Sequence, residues 1–395
     1  MFVSASALCG LAQDITTLIV LRAVQGAAAG GLMALAMAAV GDLVSPRERG
    51  RYQGYIAATF AVATVVGPLI GGLLVQHAGW RWVFYVNLPV GAAALAGLHR
   101  RLPAPQSEHA ARSLDALGAL LLAGATSAFI LACVWGGERY AWGSPQIAGL
   151  IAAAVVLAAA LVARERRAGD PIVPFEMLRT PTVAVASVAL FLATASLFAI
   201  TVFVPLFLQT TTGASPTRAG LLLVPMMLAI TVSTTLAGRR IARTGRWKRF
   251  PLAGLGLMTA ALALLAVVAG HPSRFTTVIA IAVFGLGFGM VTQMLVVAVQ
   301  NSVEQRSLGI ATAATSFFRG LGGAVGAALL GAVFAARAGG LHASEAGVRA
   351  LGHAARADVV EGAQAVFLVA APLALLALLV VLRLPELALR TEAGR

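Results

Sequence analysis

The sequence predicts an all-α polytopic membrane protein with two pseudo-symmetric halves, and three observations support this fold class. Of the 395 residues, 59% are hydrophobic and only 11% are charged, a balance that would give a soluble protein an apolar surface. Apolar segments of about 20 residues recur along the chain, each long enough for a helix to cross a ~30 Å hydrocarbon core. Residues 18–72 also match residues 277–331 at a constant offset of 259. Helices are the expected spanning elements because they satisfy their backbone hydrogen bonds within one segment.

The internal repeat depends on glycines and one arginine rather than on the abundant alanines and valines. The matched pairs are Gly26 and Gly285, Gly30 and Gly289, Arg47 and Arg306, Gly50 and Gly309, Gly67 and Gly326, and Gly72 and Gly331. Parallel repeats of this kind occur in transporters whose halves surround a central substrate site. Three apolar segments precede the second copy in its half, whereas only residues 1–12 precede the first copy. The sequence therefore predicts an incomplete first bundle.

Hydropathy places the helical elements in order along the chain. The candidate segments lie near 1–12, 15–40, 53–74, 82–99, 115–134, 146–164, 183–208, 219–237, 250–269, 277–299, 309–336 and 364–383. Residues 1–12 would reach only about 18 Å at ~1.5 Å per residue, so we expect a short helix that does not span. Three parts are predicted: an incomplete N-terminal bundle (1–99), two linker spans with flanking cytoplasmic loops (100–168), and a complete six-span bundle with a cytoplasmic tail (169–395).

The net charge of +14 is divided unequally between alternate loops. One side of the predicted membrane collects 20 arginine and lysine residues, and the other side collects 7. Basic residues concentrate on the cytoplasmic side, so loops 43–52, 100–113, 165–181 and 238–249 and the C-terminus are predicted to be cytoplasmic. Anionic membrane lipids are a sufficient partner for these loops, and no nucleic-acid partner is predicted.

Several classes of site are not expected in this sequence. Cys9 and Cys133 both lie in apolar segments, which argues against a disulfide framework and against a metal site. Lys248 is the only lysine and does not follow a glycine, so no phosphate-binding loop and no nucleotide partner are predicted. We predict no cofactor and no enzymatic activity. The excess of arginine over lysine suggests a bacterial genome rich in G and C.

Two arginines lie inside predicted spans and are the first candidates for function. A guanidinium within an apolar segment costs several kcal/mol and usually faces a bundle interior or a water-filled cavity. Arg22 shares a helical face with Gln25 and Gly26, because residues three or four apart are neighbours on a helix. Arg319 occupies a span with no obvious acidic neighbour. The alternative for both is a structural arginine that donates hydrogen bonds to backbone carbonyls of neighbouring helices.

The sequence contains two further functional candidates, a glycine-rich segment that could act as a hinge and a glutamine that could contact the substrate. Gly67, Gly71 and Gly72 allow helices to approach closely, and Pro68 removes a backbone hydrogen bond and bends its helix. Ordinary close packing remains the alternative to a gating role. Gln293, next to methionines that suit varied ligands, is a candidate substrate contact; lipid-facing or packing roles remain open.

Four local patterns occur in order along the chain: Leu21–Gly26, Gly67–Gly72, Gly79–Gly91 and Asp170–Pro174. They resemble the RxxQG pattern, the antiporter pattern of the fifth span, the entry to the sixth span and the approach to the ninth span of the fourteen-span drug:proton antiporters (EmrB/QacA type) of the major facilitator superfamily. Together they cover nearly the whole chain in the family's order. The family's first two spans, the start of its third span and the cytoplasmic motif between the second and third spans are absent. The second-bundle copy of that motif is present, with Gly238, Arg243, Gly245 and Arg246.

The resemblance implies a secondary active transporter that exports lipophilic drugs or small molecules in exchange for protons across the bacterial plasma membrane. It implies coupling through Arg22 and Gln25, a hinge formed by Gly26 and Gly67–Gly72, and a cytoplasmic charge cluster. That cluster would contain Asp42, Arg47, Arg243 and Arg246. No Asp or Glu lies in the middle of a predicted span, so the proton-coupling residue is not located.

A second interpretation belongs to a different class of protein. The short first bundle is also compatible with a truncated, non-transporting membrane protein or a scaffold assembled from the remaining spans. Upstream coding sequence would discriminate between the two, because two further in-frame spans would contradict the fragment hypothesis. The sequence does not identify the substrate or any accessory efflux partner.

Overall fold

The computed structural model describes residues 1–43, 59, 63, 66–67, 70–101, 115–137, 139–167, 180–213, 220–270, 273–303, 308–338 and 353–384. Within these ranges the secondary structure is helical and contains no β-strand, as the composition predicted. Nine described helices are long and apolar enough to cross a membrane. The chain forms two compact units, Met1–Ser113 and Leu114–Arg395.

The first unit contains four named helices. These are α1 (Phe2–Leu11), α2 (Ile15–Leu43), α3 (Trp82–Tyr85) and α4 (Asn87–Arg101), and residues 70–77 are also helical. The 10-residue helix α1 confirms the short helix predicted over 1–12. It packs against α2, α3 and α4. Most of the predicted span over 53–74 lies outside the described residues.

The second unit begins with an antiparallel pair of apolar helices, α5 (Ala116–Trp135) and α6 (Pro145–Glu165), close to the predicted segments 115–134 and 146–164. Asp115 caps α5 by accepting a 2.8 Å hydrogen bond from the Gly118 N–H, and Ser144 caps α6. Arg164, near the end of α6, donates back to the Asp115 carboxylate at 2.7–3.0 Å. The two ends of this helical hairpin are therefore joined by one ion pair.

The remaining described helices pack against one another within the second unit, and the prediction of a complete six-span bundle stays a prediction. They are α7 (Pro181–Phe198), α8 (Val204–Thr212), α9 (Val224–Thr244), α10 (Arg249–Val268), α11 (Arg274–Ser302), α12 (Leu308–Arg337) and α13 (His353–Leu382). A π-helical turn over Ala199–Phe203 joins α7 to α8. Pro205, the second residue of α8, has no N–H to donate to the preceding turn. The linker hairpin belongs to the same compact unit and contacts these helices through α5 and α12.

Three helices extend beyond the predicted segments. Helix α9 runs beyond the predicted end at 237 to Thr244, because arginines are good helix formers at a membrane edge and the break comes only at Gly245, with φ of 68°. Helix α13 begins before the predicted start at 364, because the polar residues ahead of it also favour a helix. Helix α2 extends to Leu43.

Helix α2 and helix α11 have identical limits once the repeat offset is applied. Ile15–Leu43 and Arg274–Ser302 each contain 29 residues and are related residue by residue at the offset of 259. Helix α12 ends at Arg337, which corresponds to position 78 at the offset of 259. The helical run 70–77 ends one residue before that position. The repeat is thus present in the helix boundaries of each unit; superposition of the two units stays a prediction.

Glycines determine how closely the helices of the second unit approach. A Cβ on Gly254 would collide with the backbone carbonyl of Gly287, and a Cβ on Gly287 would collide with that of Gly254. The backbones of α10 and α11 are therefore in direct contact at these two glycines. Gly285 and Gly289 bring α11 against Met226 and Ile230 of α9. Gly322 and Gly326 bring α12 against Phe191 and Ala195 of α7 in the same way. Close approach between small residues is the expected source of helix association in a membrane, where lipid is as apolar as the helices.

Candidate functional site

The first unit holds a group of polar side chains inside otherwise apolar helices, which we call the polar cluster. It consists of Ser6 on α1, Arg22 and Gln25 on α2, and Asn87 at the start of α4. Ser6 is 0% and Gln25 is 2% exposed, so water does not compete for their hydrogen bonds. Such groups are costly in a membrane interior unless they are paired.

Arg22 contacts Gln25 directly, as their spacing of three residues predicted. Its guanidinium Nη1 donates a 2.6 Å hydrogen bond to Gln25 Oε1. The guanidinium carbon also lies 5.8 Å from the centre of the Phe84 ring, which is within the range of a cation–π interaction. Arg22 itself is exposed in the structure, and among the described residues its other donors have no hydrogen-bond acceptor. It can therefore meet a further polar group or an anion.

Gln25 connects Arg22 to the rest of the polar cluster. Its amide Nε2 donates to Ser6 Oγ at 2.5 Å, and its Oε1 lies 4.0 Å from the Cys9 thiol. Asn87 Nδ2 approaches the same Ser6 oxygen at 3.4 Å. The polar cluster thus joins α1, α2 and α4 through one serine hydroxyl.

The end of α1 is held by a second arginine. Arg81 Nη2 donates to the carbonyl of Ala12 at 3.1 Å, just beyond the last residue of α1. A cation at this position compensates the unpaired carbonyls of a helix C-terminus. The Arg81 guanidinium also lies 4.6 Å from the Trp80 ring. The segment that starts at Gly79, with φ of 91°, therefore fixes the short helix on which Ser6 lies.

The predicted hinge glycines have open surroundings in the described part of the first unit. No described atom lies within 4 Å of a Cβ built on Gly26, Gly67, Gly71 or Gly72. Pro68 lies outside the described residues. Close packing at these four glycines is thus not observed among the residues the structure describes, and their role in gating stays a prediction.

The predicted residues of the second unit lie apart from the polar cluster along the chain. Gln293 is exposed on α11, one turn beyond Gly289, whose carbonyl accepts a 3.0 Å hydrogen bond from Thr234. Arg319 is exposed on α12 beside the pair of aromatic rings formed by Phe317 and Phe318. Neither side chain has a polar partner among the described residues.

The predicted cytoplasmic charge cluster is described only in part. Asp42 and Arg243 lie in the last turns of α2 and α9, and Arg246 is exposed just after Gly245. Arg47 is outside the described residues. The left-handed backbone at Gly245 explains the glycine of this motif, because a side chain there would be strained.

Sequence reasoning missed two members of the polar cluster. Neither Ser6 nor Asn87 is a site candidate from the sequence patterns. A serine in an apolar segment is common, and the partners lie 19 and 81 residues away from it in the chain, so no local signal was available. The described residues contain no group of histidine, cysteine or acidic side chains that could hold a metal ion.

The amino-acid sequence of this chain matches a known protein family. A sequence model described as Major Facilitator Superfamily matches residues 1–327. The chain is 39% identical over 330 residues to the uncharacterized MFS-type transporter Rv1877 of Mycobacterium tuberculosis, with 84% of this chain and 48% of the relative covered. It is 34% identical over 330 residues to the multidrug transporter protein MdtP of Bacillus subtilis, with 84% and 61% covered. It is 32% identical over 331 residues to multidrug resistance protein 3 of the same organism, with 84% and 64% covered.

The chain thus spans 48% to 64% of the length of these relatives. Their names are those of membrane transporters rather than enzymes. With nine candidate spans among its described helices, the chain is a multi-pass membrane protein.

Proposed function

Because the chain belongs to the Major Facilitator Superfamily, we propose that it acts in a secondary active transporter that exports lipophilic small molecules in exchange for protons. The relatives named for multidrug transport and multidrug resistance support this substrate class. The observation that carries the proposal is the polar cluster, in which the exposed Arg22 bonds to the buried Gln25, and Gln25 bonds to the buried Ser6, within largely apolar helices.

The fourteen-span antiporter type is part of the proposal. Its support is the helical hairpin of α5 and α6, which lies in sequence between the first unit and helices α7–α13. A twelve-span transporter would have a loop at this position. The distribution of 20 basic residues against 7 supports a plasma-membrane protein with a cytoplasmic C-terminus.

In the proposed mechanism, the transporter exposes its bound substrate alternately to each side of the membrane. Arg22 and Gln25 respond to the arrival of a proton or substrate, because a guanidinium with free donors changes its partners when a charge appears nearby. Gly26 and Gly67–Gly72 allow the helices to bend, and Gln293 and Arg319 contribute substrate contacts from the second half. Asp42, Arg47, Arg243 and Arg246 hold the cytoplasmic side closed.

The test uses the chain reconstituted in liposomes, both as residues 1–395 and together with any in-frame coding sequence upstream of Met1. A pH gradient is imposed, and movement of a fluorescent lipophilic compound is followed with and without an uncoupler. Arg22→Ala is expected to abolish gradient-driven movement, and Arg22→Lys is expected to restore little, because an ammonium group lacks the planar fork of donors. Arg166→Ala serves as the control, since Arg166 is exposed beyond the end of α6.

Gradient-driven transport that is unaffected by Arg22→Ala would contradict the role of Arg22. Absence of transport in every preparation, with the protein inserted and folded, would instead favour the non-transporting membrane protein or scaffold.

A further inference from the structure

We propose that Ser6 and Asn87 are positioning residues that orient the side-chain amide of Gln25 toward Arg22. This inference rests on the proposed function, in which Arg22 and Gln25 couple movement of the transporter to its ligands. Its basis is the direction of each hydrogen bond in the polar cluster, together with the burial of Ser6 and Gln25.

The orientation of Gln25 follows from the chemistry of its neighbours. A guanidinium has only donors, so Arg22 requires the carbonyl oxygen of the amide and is repelled by its NH₂ group. The 2.6 Å contact to Oε1 satisfies this requirement. The NH₂ group of Gln25 then faces the opposite way, into a buried site where it needs an acceptor, and Ser6 Oγ provides one at 2.5 Å.

Asn87 determines which role the Ser6 hydroxyl takes. A hydroxyl can donate or accept, so Ser6 alone would tolerate a flipped Gln25 whose oxygen pointed at it. Asn87 Nδ2 also donates to Ser6 Oγ, at 3.4 Å. With Asn87 and Gln25 both donating, the two lone pairs of the Ser6 oxygen are occupied and its proton points away from Gln25. The flipped amide is then disfavoured at both of its ends.

Two close backbone contacts hold α1 at the distance that this arrangement requires. Gly10 faces the ring of Tyr85, and a Cβ on Gly10 would overlap that ring. Gly91 faces the Val3 side chain, and a Cβ there would overlap it as well. These contacts lie on either side of the Ser6–Asn87 pair, one between α1 and α3 and the other between α1 and α4, so a larger residue at Gly10 or Gly91 would separate the hydroxyl from its donors.

The deciding experiment compares Ser6→Ala in two backgrounds. With Gln25 present, Ser6→Ala is expected to lower the maximal transport rate about tenfold with little change in KM, because a misoriented group impairs a step more than it impairs binding. With Gln25→Glu present, Ser6→Ala is expected to change the rate less than about twofold, since both carboxylate oxygens accept and no orientation is needed. Asn87→Leu should show the same dependence on background with a smaller loss, because its contact is longer.

Ser4→Ala is the matched control, since Ser4 is exposed on the same helix. Ser6→Thr keeps the hydroxyl and should retain most of the transport. An equal loss from Ser6→Ala in both backgrounds would show that Ser6 acts through packing and would overturn the proposal.

A second measurement tests the positioning without requiring transport. Within Cys133→Ser protein, Cys9 is the remaining cysteine; its thiol is fully buried and lies 4.0 Å from Gln25 Oε1. Ser6→Ala should release Gln25 and raise the rate at which a small maleimide alkylates Cys9, by about threefold or more as the local structure opens. Ser4→Ala should leave that rate unchanged.

The two measurements separate the two hypotheses. If the unsubstituted protein does not transport but Ser6→Ala accelerates alkylation, the proposed function fails and the positioning stands. If alkylation is unchanged in folded Ser6→Ala protein, the positioning fails whatever the transport result.

Discussion

Replacing Gly254 and Gly256 separately by alanine tests whether glycine sets the distance between α10 and α11. Both glycines lie in the interior of α10, two residues apart. A Cβ at position 254 would lie 2.5 Å from the Gly287 carbonyl oxygen and 2.9 Å from Val291 Cγ2, whereas no described atom lies within 4 Å of a Cβ at position 256. The obstacle at Gly254 is backbone, so it cannot move aside as a flexible side chain would.

The expected difference in free energy of unfolding follows from one contribution that both substitutions share and one that only Gly254→Ala has. Both replace glycine by alanine within a helix, which stabilises an exposed helix by about 0.8–1.0 kcal/mol. Only Gly254→Ala forces two packed helices apart, and overpacking of this kind costs about 1–3 kcal/mol. The free energy of unfolding should therefore be lower for Gly254→Ala than for Gly256→Ala by about 1–3 kcal/mol.

The assay is thermal unfolding of the purified protein in one detergent, followed by loss of the monodisperse peak. At about 2–4 °C per kcal/mol for a unit of this size, the two variants should differ by several degrees. Gly256→Ala should melt at or above the temperature of the unsubstituted protein. If Gly254→Ala melts at the same temperature as Gly256→Ala, the close approach of α10 and α11 is not present in the folded protein.

Three further predictions concern other parts of the chain. The pKa of Asp115 lies below its ordinary value because its carboxylate accepts hydrogen bonds from Arg164 and then from the Gly118 N–H. These bonds should stabilise the α5–α6 hairpin fully at neutral pH, and the stabilisation should disappear as the pH falls through the lowered pKa. Asp115→Asn should remove this pH dependence of unfolding. Pro205→Ala supplies an N–H to the preceding turn and should slow hydrogen exchange over Ala199–Phe203, whereas an unchanged exchange rate would contradict the explanation given for the π-helical turn. Single cysteines at positions 107 and 344 should react with an impermeant reagent from opposite sides of the membrane, and equal labelling from outside would reject the predicted topology.

Much of the fold could be predicted because membrane helices follow from local composition. The predicted segments 115–134, 146–164 and 250–269 agree within a few residues with Ala116–Trp135, Pro145–Glu165 and Arg249–Val268. The helix ends that differed are those where polar residues extend a helix beyond the apolar run. Hydropathy locates the edge of the hydrocarbon core, whereas the helix continues until a residue such as Gly245 ends it.

Only the contacts of the candidate site that lie within a single helix could be predicted from the sequence. The contact of Arg22 with Gln25 follows from helical spacing and was predicted from the sequence. Their connection to Ser6 and Asn87 depends on the packing of α1 and α4 against α2, which brings together residues up to 81 positions apart. Local patterns contain no information about such distances.

The sequence by itself determined the class of the protein, the positions of its spans, the offset of the repeat and the presence of an arginine inside a span. These properties depend on hydrophobic runs and residue spacing, which act locally along one helix. The tertiary structure decided which polar groups pair and which glycines matter. Gly254 and Gly256 are equivalent in the sequence, yet only Gly254 meets a backbone carbonyl, because contact between helices depends on which face of α10 turns toward α11.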